Sequence, residues 1–155
     1  MPHRLYQTQV SADWVDYNGH LRDAYYLLIF SQAVDSLMDQ IGLDAAARAA
    51  SNHSLFTLEV HLNYLHEVKQ GEAVEVRLQI LGHDHKRLHL YLSLYRKGQE
   101  EAAAVSEQML LHVDMNGPKS APFSETTAAR IEGLVIAQGA LPKPEYAGRV
   151  MALPG

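Results

Sequence analysis

Residues 13–26 read DWVDYNGHLRDAYY, and the first eight positions hold two acids, a Trp, a Tyr, an Asn-Gly pair and a His. Each of these types can do chemistry. A carboxylate such as Asp16 can deprotonate a water molecule or attack an electrophilic carbon itself. His20 can contact a substrate or its water, or can be a partly buried hydrogen-bonding residue. Asn18-Gly19 is a turn signal, and Gly19, without a Cβ, lets a ligand approach the backbone closely. A helical pattern begins directly after the turn, so unpaired backbone N–H groups and the positive end of a helix dipole stand near the acid. A carbonyl oxygen placed there would be polarised as in an oxyanion hole. The plainer reading makes Asp16 a turn former, Asp23 a helix N-cap and the aromatic rings packing. A turn that only joined a strand to a helix would not need so much chemistry in so few positions.

The surrounding patterns indicate what positions this stretch. RLYQTQVS alternates and predicts a strand over about 4–11, with a loop over 12–19. Leu27, Phe30, Val34, Met38 and Ile41 recur at helical spacing from Ala24 onward, with Leu37 beside them and Gly42 as a stop. Long apolar residues cover most of that helix, which predicts that it is largely buried. LDAAARAA suggests a short second helix. Strands are predicted at 54–68, 73–81, 87–96 and 102–115, separated by KQGE, GHDHK and KGQE, turns short enough to make the flanking strands antiparallel neighbours. Ser124 is placed to cap a terminal helix, and residues from about 140 to 155 read as an irregular or mobile tail. Strand, long helix and four antiparallel strands make an α+β layout in which one curved sheet wraps an apolar helix. The 155 residues suit one domain, with no repeat or linker in sight.

Composition excludes several classes. The chain has no cysteine, so disulfides, thiolate zinc sites and a Cys nucleophile are ruled out, which fits a reducing cytoplasm. Net charge is −5 with no long run of either sign, which argues against a nucleic-acid or anionic-membrane partner. No secretory leader or membrane-spanning stretch is visible, so a cytoplasmic location is expected. Nine histidines, among them His61, His66, His83, His85 and His89, invite a metal reading, but no His-x-x-x-His helix pair occurs and no metal is expected.

The order strand, loop, buried helix, long meander is that of the hotdog fold. D-Y-N-G-H-L, residues 16–21, resembles the D-x-x-G-H-V signature of hotdog acyl-CoA thioesterases of the 4-hydroxybenzoyl-CoA type. The resemblance is closer to betainyl-CoA thioesterases of carnitine breakdown. It extends over WVDYNGHLRDAYY, VDSLMDQIGL, HLNYLHEVKQGE, LGHDHKRLHL and EQMLLHVD, which span nearly the whole chain. It implies an acyl-CoA substrate at the interface of a homodimer or homotetramer, no cofactor, and catalysis by the carboxylate three residues before Gly19, which is Asp16. Two departures bear on substrate choice. Trp14 stands where relatives often carry an acid, and Arg22-Asp23 stands where Asn-Asn is usual.

Thioester hydrolysis needs a nucleophile or activated water and a stabiliser for the carbonyl oxygen. There is no Cys and no G-x-S-x-G elbow, so Asp16 is the candidate, as general base or as nucleophile, with His20 beside it. Betaine carries a quaternary ammonium that aromatic faces hold well. Trp14, Tyr17, Tyr25 and Tyr26 fall within thirteen residues around Asp16, and Tyr64 on the next strand could join them. Asn18, Gly19 and Asp23 complete the candidate substrate contacts. Asp35 and Asp39 on the helix read as solvated. Lys86 and Arg87 could meet CoA phosphates or be solvated turn charges. Competing with a betainyl-CoA thioesterase are a thioesterase for another small acyl-CoA, a hotdog hydratase or dehydratase using His20 and Asp16, and a non-catalytic acyl-CoA-binding module.

Overall fold

The computed structural model describes residues 2–155. Strand β1 (His3–Gln9) is followed by a short 3-10 turn at Ala12–Trp14 and then by α1 (Asp23–Gln40) and α2 (Ala45–Ser51). Four long strands come next: β2 (His53–Tyr64), β3 (Ala73–His83), β4 (Arg87–Arg96) and β5 (Ala102–Asp114). A two-residue β6 (Lys119–Ser120) and α3 (Glu125–Gln138) complete the order. The predicted elements are all present, within a few residues of their expected ends.

The strands form one antiparallel sheet in the order β1-β3-β4-β5-β2, with β6 added to β5. Period-two alternation puts Val74, Val76, Leu78 and Ile80 of β3 and Leu88, Leu90, Leu92 and Leu94 of β4 on the inner face, all buried. Register breaks in β1, β2, β3 and near the end of β4 curve the sheet. The hollow holds α1, whose Tyr26, Ile29, Phe30, Ala33, Val34, Leu37 and Met38 face the sheet.

Three expectations are corrected. The KQGE turn does not join neighbours: β2 pairs with β5 at one edge, and β3 pairs with β1 and β4. The link over 65–72 is no hairpin. It carries the chain from one side of the sheet to the other and is pinned on the way by Leu21 N–H to the Val68 carbonyl (2.7 Å) and Gln70 N–H to the Gly19 carbonyl (3.0 Å). Val68 is fully buried there, so the link has its own anchor in the core. Second, α1 is buried along one stripe only. Leu27 and Leu28 remain 41% and 37% exposed, and Asp35 and Asp39 face solvent. Third, the tail is irregular as expected, with Val150, Met151 and Leu153 exposed, but its 141–148 part is packed. It lies on the outer face of the sheet, where the Pro142 carbonyl accepts from Gln79 Nε2 (3.2 Å), Gly148 N–H donates to Glu107 Oε1 (2.7 Å) and Ala147 packs against Tyr91 and Val105. Burial beneath this segment pushes the Tyr91 phenol up to about 12. Ser124 caps α3 as expected, accepting from Thr127 N–H.

His112 is the one buried titratable group of β5. Its Nδ1 meets the Ala121 carbonyl at 2.8 Å, and its ring packs on His53 and Phe123. Burial holds its pKa below the ordinary histidine value.

Candidate active site

The turn after β1 is a small closed loop. Asp16 N–H bonds the His20 carbonyl (2.9 Å), Gly19 N–H bonds the Asp16 carbonyl (3.0 Å), and Val15 and Leu21 bridge below them. Gly19 has φ +77°, a left-handed conformation that a side chain would strain. Closing the loop turns backbone N–H groups inward onto Asp16. Its Oδ1 accepts from Asn18 N–H (2.9 Å) and His20 N–H (3.1 Å). The His20 amide is the main cause holding this carboxyl below the ordinary aspartate range; partial burial opposes it, and the Asn18 amide and the charges of His20 and Arg22 reinforce it. Asp16 is therefore ionised at neutral pH. No hydrogen bond is made to Oδ2 among the described residues, so one oxygen is fixed and the other is available. The same side chain forms the turn and leaves one oxygen open.

The start of α1 lies beside this loop. Arg22, not Asp23, is the N-cap: its N–H is held by the Trp14 carbonyl, which keeps the chain extended through that residue. Asp23 is the first helical residue, and its Oδ1 accepts from Ala24 N–H (2.8 Å). Tyr25 N–H returns to the Arg22 carbonyl. The helix end thus offers fewer vacant donors than a bare first turn, with the Asp23 N–H foremost among them.

The aromatic residues divide into two groups. Trp14 is half-buried against the core and stacked on Tyr25, with centroids 6.3 Å apart and planes at 17°. Tyr26 is buried, donates to the His66 carbonyl (3.2 Å) and meets the edge of Tyr64 at 5.0 Å. The Tyr64 hydroxyl donates to the Asp23 carbonyl (3.0 Å), yet its side chain stays 52% exposed. Tyr17 is 93% exposed. The fold thus gathers Trp14, Asp16, Asn18, Gly19, His20, Asp23, Tyr25 and Tyr64 around one loop.

Lys86 and Arg87 lie elsewhere. The loop follows the end of β1, where Gln9 faces Ala73, and β4 reaches that end of the sheet at Arg96 opposite Val74. The 84–87 turn is at the far end of the same hairpin. Arg87 is engaged there by Asp84 (2.7 and 2.8 Å), whose carboxyl is held far below its usual range by the Lys86 amide and this pairing. Lys86 Nζ reaches Ser120 Oγ at 3.3 Å. The histidines are dispersed, several of them in carboxylate pairs such as His89–Glu107 and His66–Glu101. No cluster suited to a metal ion occurs among the described residues. A cavity of about 570 Å³ lies under the tail on the outer face, lined by Arg77, Tyr91, Tyr95 and Tyr146 among others, and none of residues 13–26 borders it.

One site residue escaped the sequence reading. Glu67 Oε2 lies 3.4 Å from His20 Nε2, with a side chain 74% exposed. Nothing local to Glu67 marks it, because its relevance depends on a link that docks 47 positions away in sequence, where His20 and Lys69 bridge.

Comparison with known proteins bears on the family and the fold. A model of the thioesterase-like superfamily matches residues 10–131. The chain is 62% identical over 149 residues to betainyl-CoA thioesterase of Pseudomonas aeruginosa, covering 96% of this chain and 94% of that one. It is 38% identical over 148 residues to a Rhizobium meliloti L-carnitine dehydrogenase/betainyl-CoA thioesterase, covering 96% of this chain and 30% of that larger protein. A Staphylococcus aureus protein solved in complex with CoA superposes with a TM-score of 0.92 at 31% identity, covering 99% of this chain and 98% of that one. With its carboxylate-bearing turn set against a helix cradled in a curved sheet, the chain belongs to the thioesterase-like superfamily and is a hotdog-fold thioester hydrolase.

Proposed function

We propose that the chain, acting as one domain, hydrolyses betainyl-CoA to glycine betaine and CoA. The observation that carries this reading is an ionised carboxylate, Asp16, pinned through Oδ1 with Oδ2 available, next to the first turn of α1. The carbonyl oxygen of the thioester is placed toward the Asp23 N–H, where the helix dipole favours developing negative charge. Asp16 Oδ2 either takes a proton from the attacking water or attacks the carbonyl carbon itself, forming an anhydride that water then opens. In both routes the C–S bond breaks, CoA leaves as thiolate and takes up a proton, and the acyl group departs as a carboxylate. The 62% identical Pseudomonas aeruginosa protein supports the betainyl group.

The active form in this reading is a homodimer. Among the described residues β2 pairs only with β5 and presents a twelve-residue free edge bearing Phe56 and Leu58, 39% and 56% exposed. A long apolar edge of this kind seeks a second strand. Antiparallel pairing of two β2 edges about a two-fold axis brings opposite ends of the two sheets together. The 84–87 turn of a second copy then approaches this site, so Lys86 would serve CoA phosphates bound at the other subunit. A cytoplasmic location follows from the CoA ester substrate; no helix of the described residues is long and apolar enough to cross a membrane.

The test is direct. Purified protein is given a panel of short acyl-CoAs including betainyl-CoA, with thiol release followed by a chromogenic reagent and betaine by NMR. Thiol and betaine should appear together, with betainyl-CoA the best substrate. Preference for another acyl group refutes the substrate, and absence of thiol release from the whole panel refutes the proposed reaction.

A further inference from the structure

In betainyl-CoA a single methylene separates the quaternary nitrogen from the thioester carbonyl. Once Asp16 meets that carbonyl, the cation must lie within a side chain's reach of the loop. The carboxylates of this loop and of the link docked on it include Asp16, Asp23 and Glu67. Asp16 is committed to the reaction. Asp23 is committed to the helix start, with Oδ1 on Ala24 N–H. The Glu67 carboxylate makes one ion-pair contact among the described residues, to His20 at 3.4 Å through Oε2, and its side chain is 74% exposed.

The surroundings of Glu67 suit a cation that cannot donate hydrogen bonds. Tyr64, three residues earlier at the end of β2, keeps an exposed ring braced by Tyr26 and by its own bond to the Asp23 carbonyl. Arg96 donates to the Glu67 carbonyl (3.4 Å) and not to the carboxylate. Trp14 has Tyr25 stacked against its ring.

We propose that Glu67 and Tyr64 form the subsite for the quaternary ammonium of the acyl group, Glu67 supplying the opposite charge and Tyr64 the aromatic face. This rests on the betainyl-CoA reading and moves cation recognition from Trp14 to the β2 end and the link that follows it. His20 meets Asp16 through its backbone N–H and Glu67 through its imidazole Nε2, so one residue links the reacting carboxylate to the one that selects the substrate.

The test compares betainyl-CoA with 3,3-dimethylbutyryl-CoA, which has the same shape with carbon in place of the charged nitrogen. The readout is the ratio of kcat/KM for the charged over the neutral ester. That ratio cancels any loss both substrates share, including a loss from a displaced His20. In Glu67→Gln the ratio should fall roughly tenfold, carried by KM, as expected for a charge pair partly desolvated by the bound ester. Glu67→Lys should lower it by roughly a further factor of ten, and Glu67→Asp should restore part of it. Tyr64→Leu should also lower it. A wild-type ratio at or below one would refute the betainyl-CoA reading itself. A high wild-type ratio that survives in Glu67→Gln and Glu67→Lys, or that is lost only in Asp23→Asn, would overturn the assignment of Glu67 and leave that reading standing.

Discussion

Replacing Asp16 by Asn separates the two duties of this side chain. The amide oxygen of Asn can take the place of Oδ1 and still accept from Asn18 N–H and His20 N–H, now 2.9 and 3.1 Å away. The loop should keep its shape, and Tm should move by less than about 3 °C. The amide NH2 that replaces Oδ2 can neither take a proton from water nor attack a carbonyl. General-base assistance is worth roughly 10²–10⁴-fold. Two N–H bonds depress the pKa of Asp16 and make it a weaker base, so a purely general-base role places the loss toward the lower end, roughly 10²-fold in kcat. A loss well beyond 10⁴ would indicate the covalent route, and a single turnover in ¹⁸O-water that labels Asp16 would establish it. The assay is thiol release from betainyl-CoA, with circular dichroism and a melt on the same sample. Asp16→Ala removes both acceptors and should lower Tm as well as activity. Near-wild-type turnover by a folded Asp16→Asn protein would remove Asp16 from the mechanism and refute the argument from its free oxygen.

The wild-type enzyme should also hold its kcat/KM as pH falls until the low pKa of Asp16 is reached, because the base is lost only on protonation; an acid limb well above the ordinary carboxylate range would take the base role away from Asp16. Trp14→Leu removes a ring packed against the core and stacked on Tyr25, so it should cost about 2 kcal/mol of stability in urea and change kcat/KM equally for charged and neutral esters. The double variant Phe56→Lys, Leu58→Lys places charge on the free edge of β2 and should give monomers of much reduced activity by light scattering and thiol assay; fully active monomers would refute the interface model. His112, held neutral by burial, takes up its proton more readily in the unfolded chain, so stability should decline as pH drops below about 6.5. His112→Asn, which keeps a donor for the Ala121 carbonyl, should flatten that slope in urea titrations at pH 7.5, 6.5 and 5.5.

Local patterns in the sequence were enough to recover the main helices and the five longer strands of this protein, because each pattern is read over a few residues. Alternation along 87–96 marks β4, the 3–4 spacing from Ala24 to Ile41 marks α1, and Ser124 announces α3. Asp16, Gly19 and the start of α1 were legible for the same reason: the hydrogen bonds that close the turn on Asp16 run between residues no more than four apart. What the tertiary structure decided are contacts between distant segments. The pairing of β2 with β5 depends on Val68 finding a place in the core and on the link over 65–72 docking beneath Gly19, which no turn rule anticipates. The same docking delivers Glu67 to His20. The tail lies down on the sheet because Glu107, His89 and Tyr91, neighbours only once β4 and β5 are paired, meet Gly148 and Tyr146 there. Lys86 and Arg87 lie far from Asp16 because a hairpin has two ends, and a linear sequence does not say which of them faces the site.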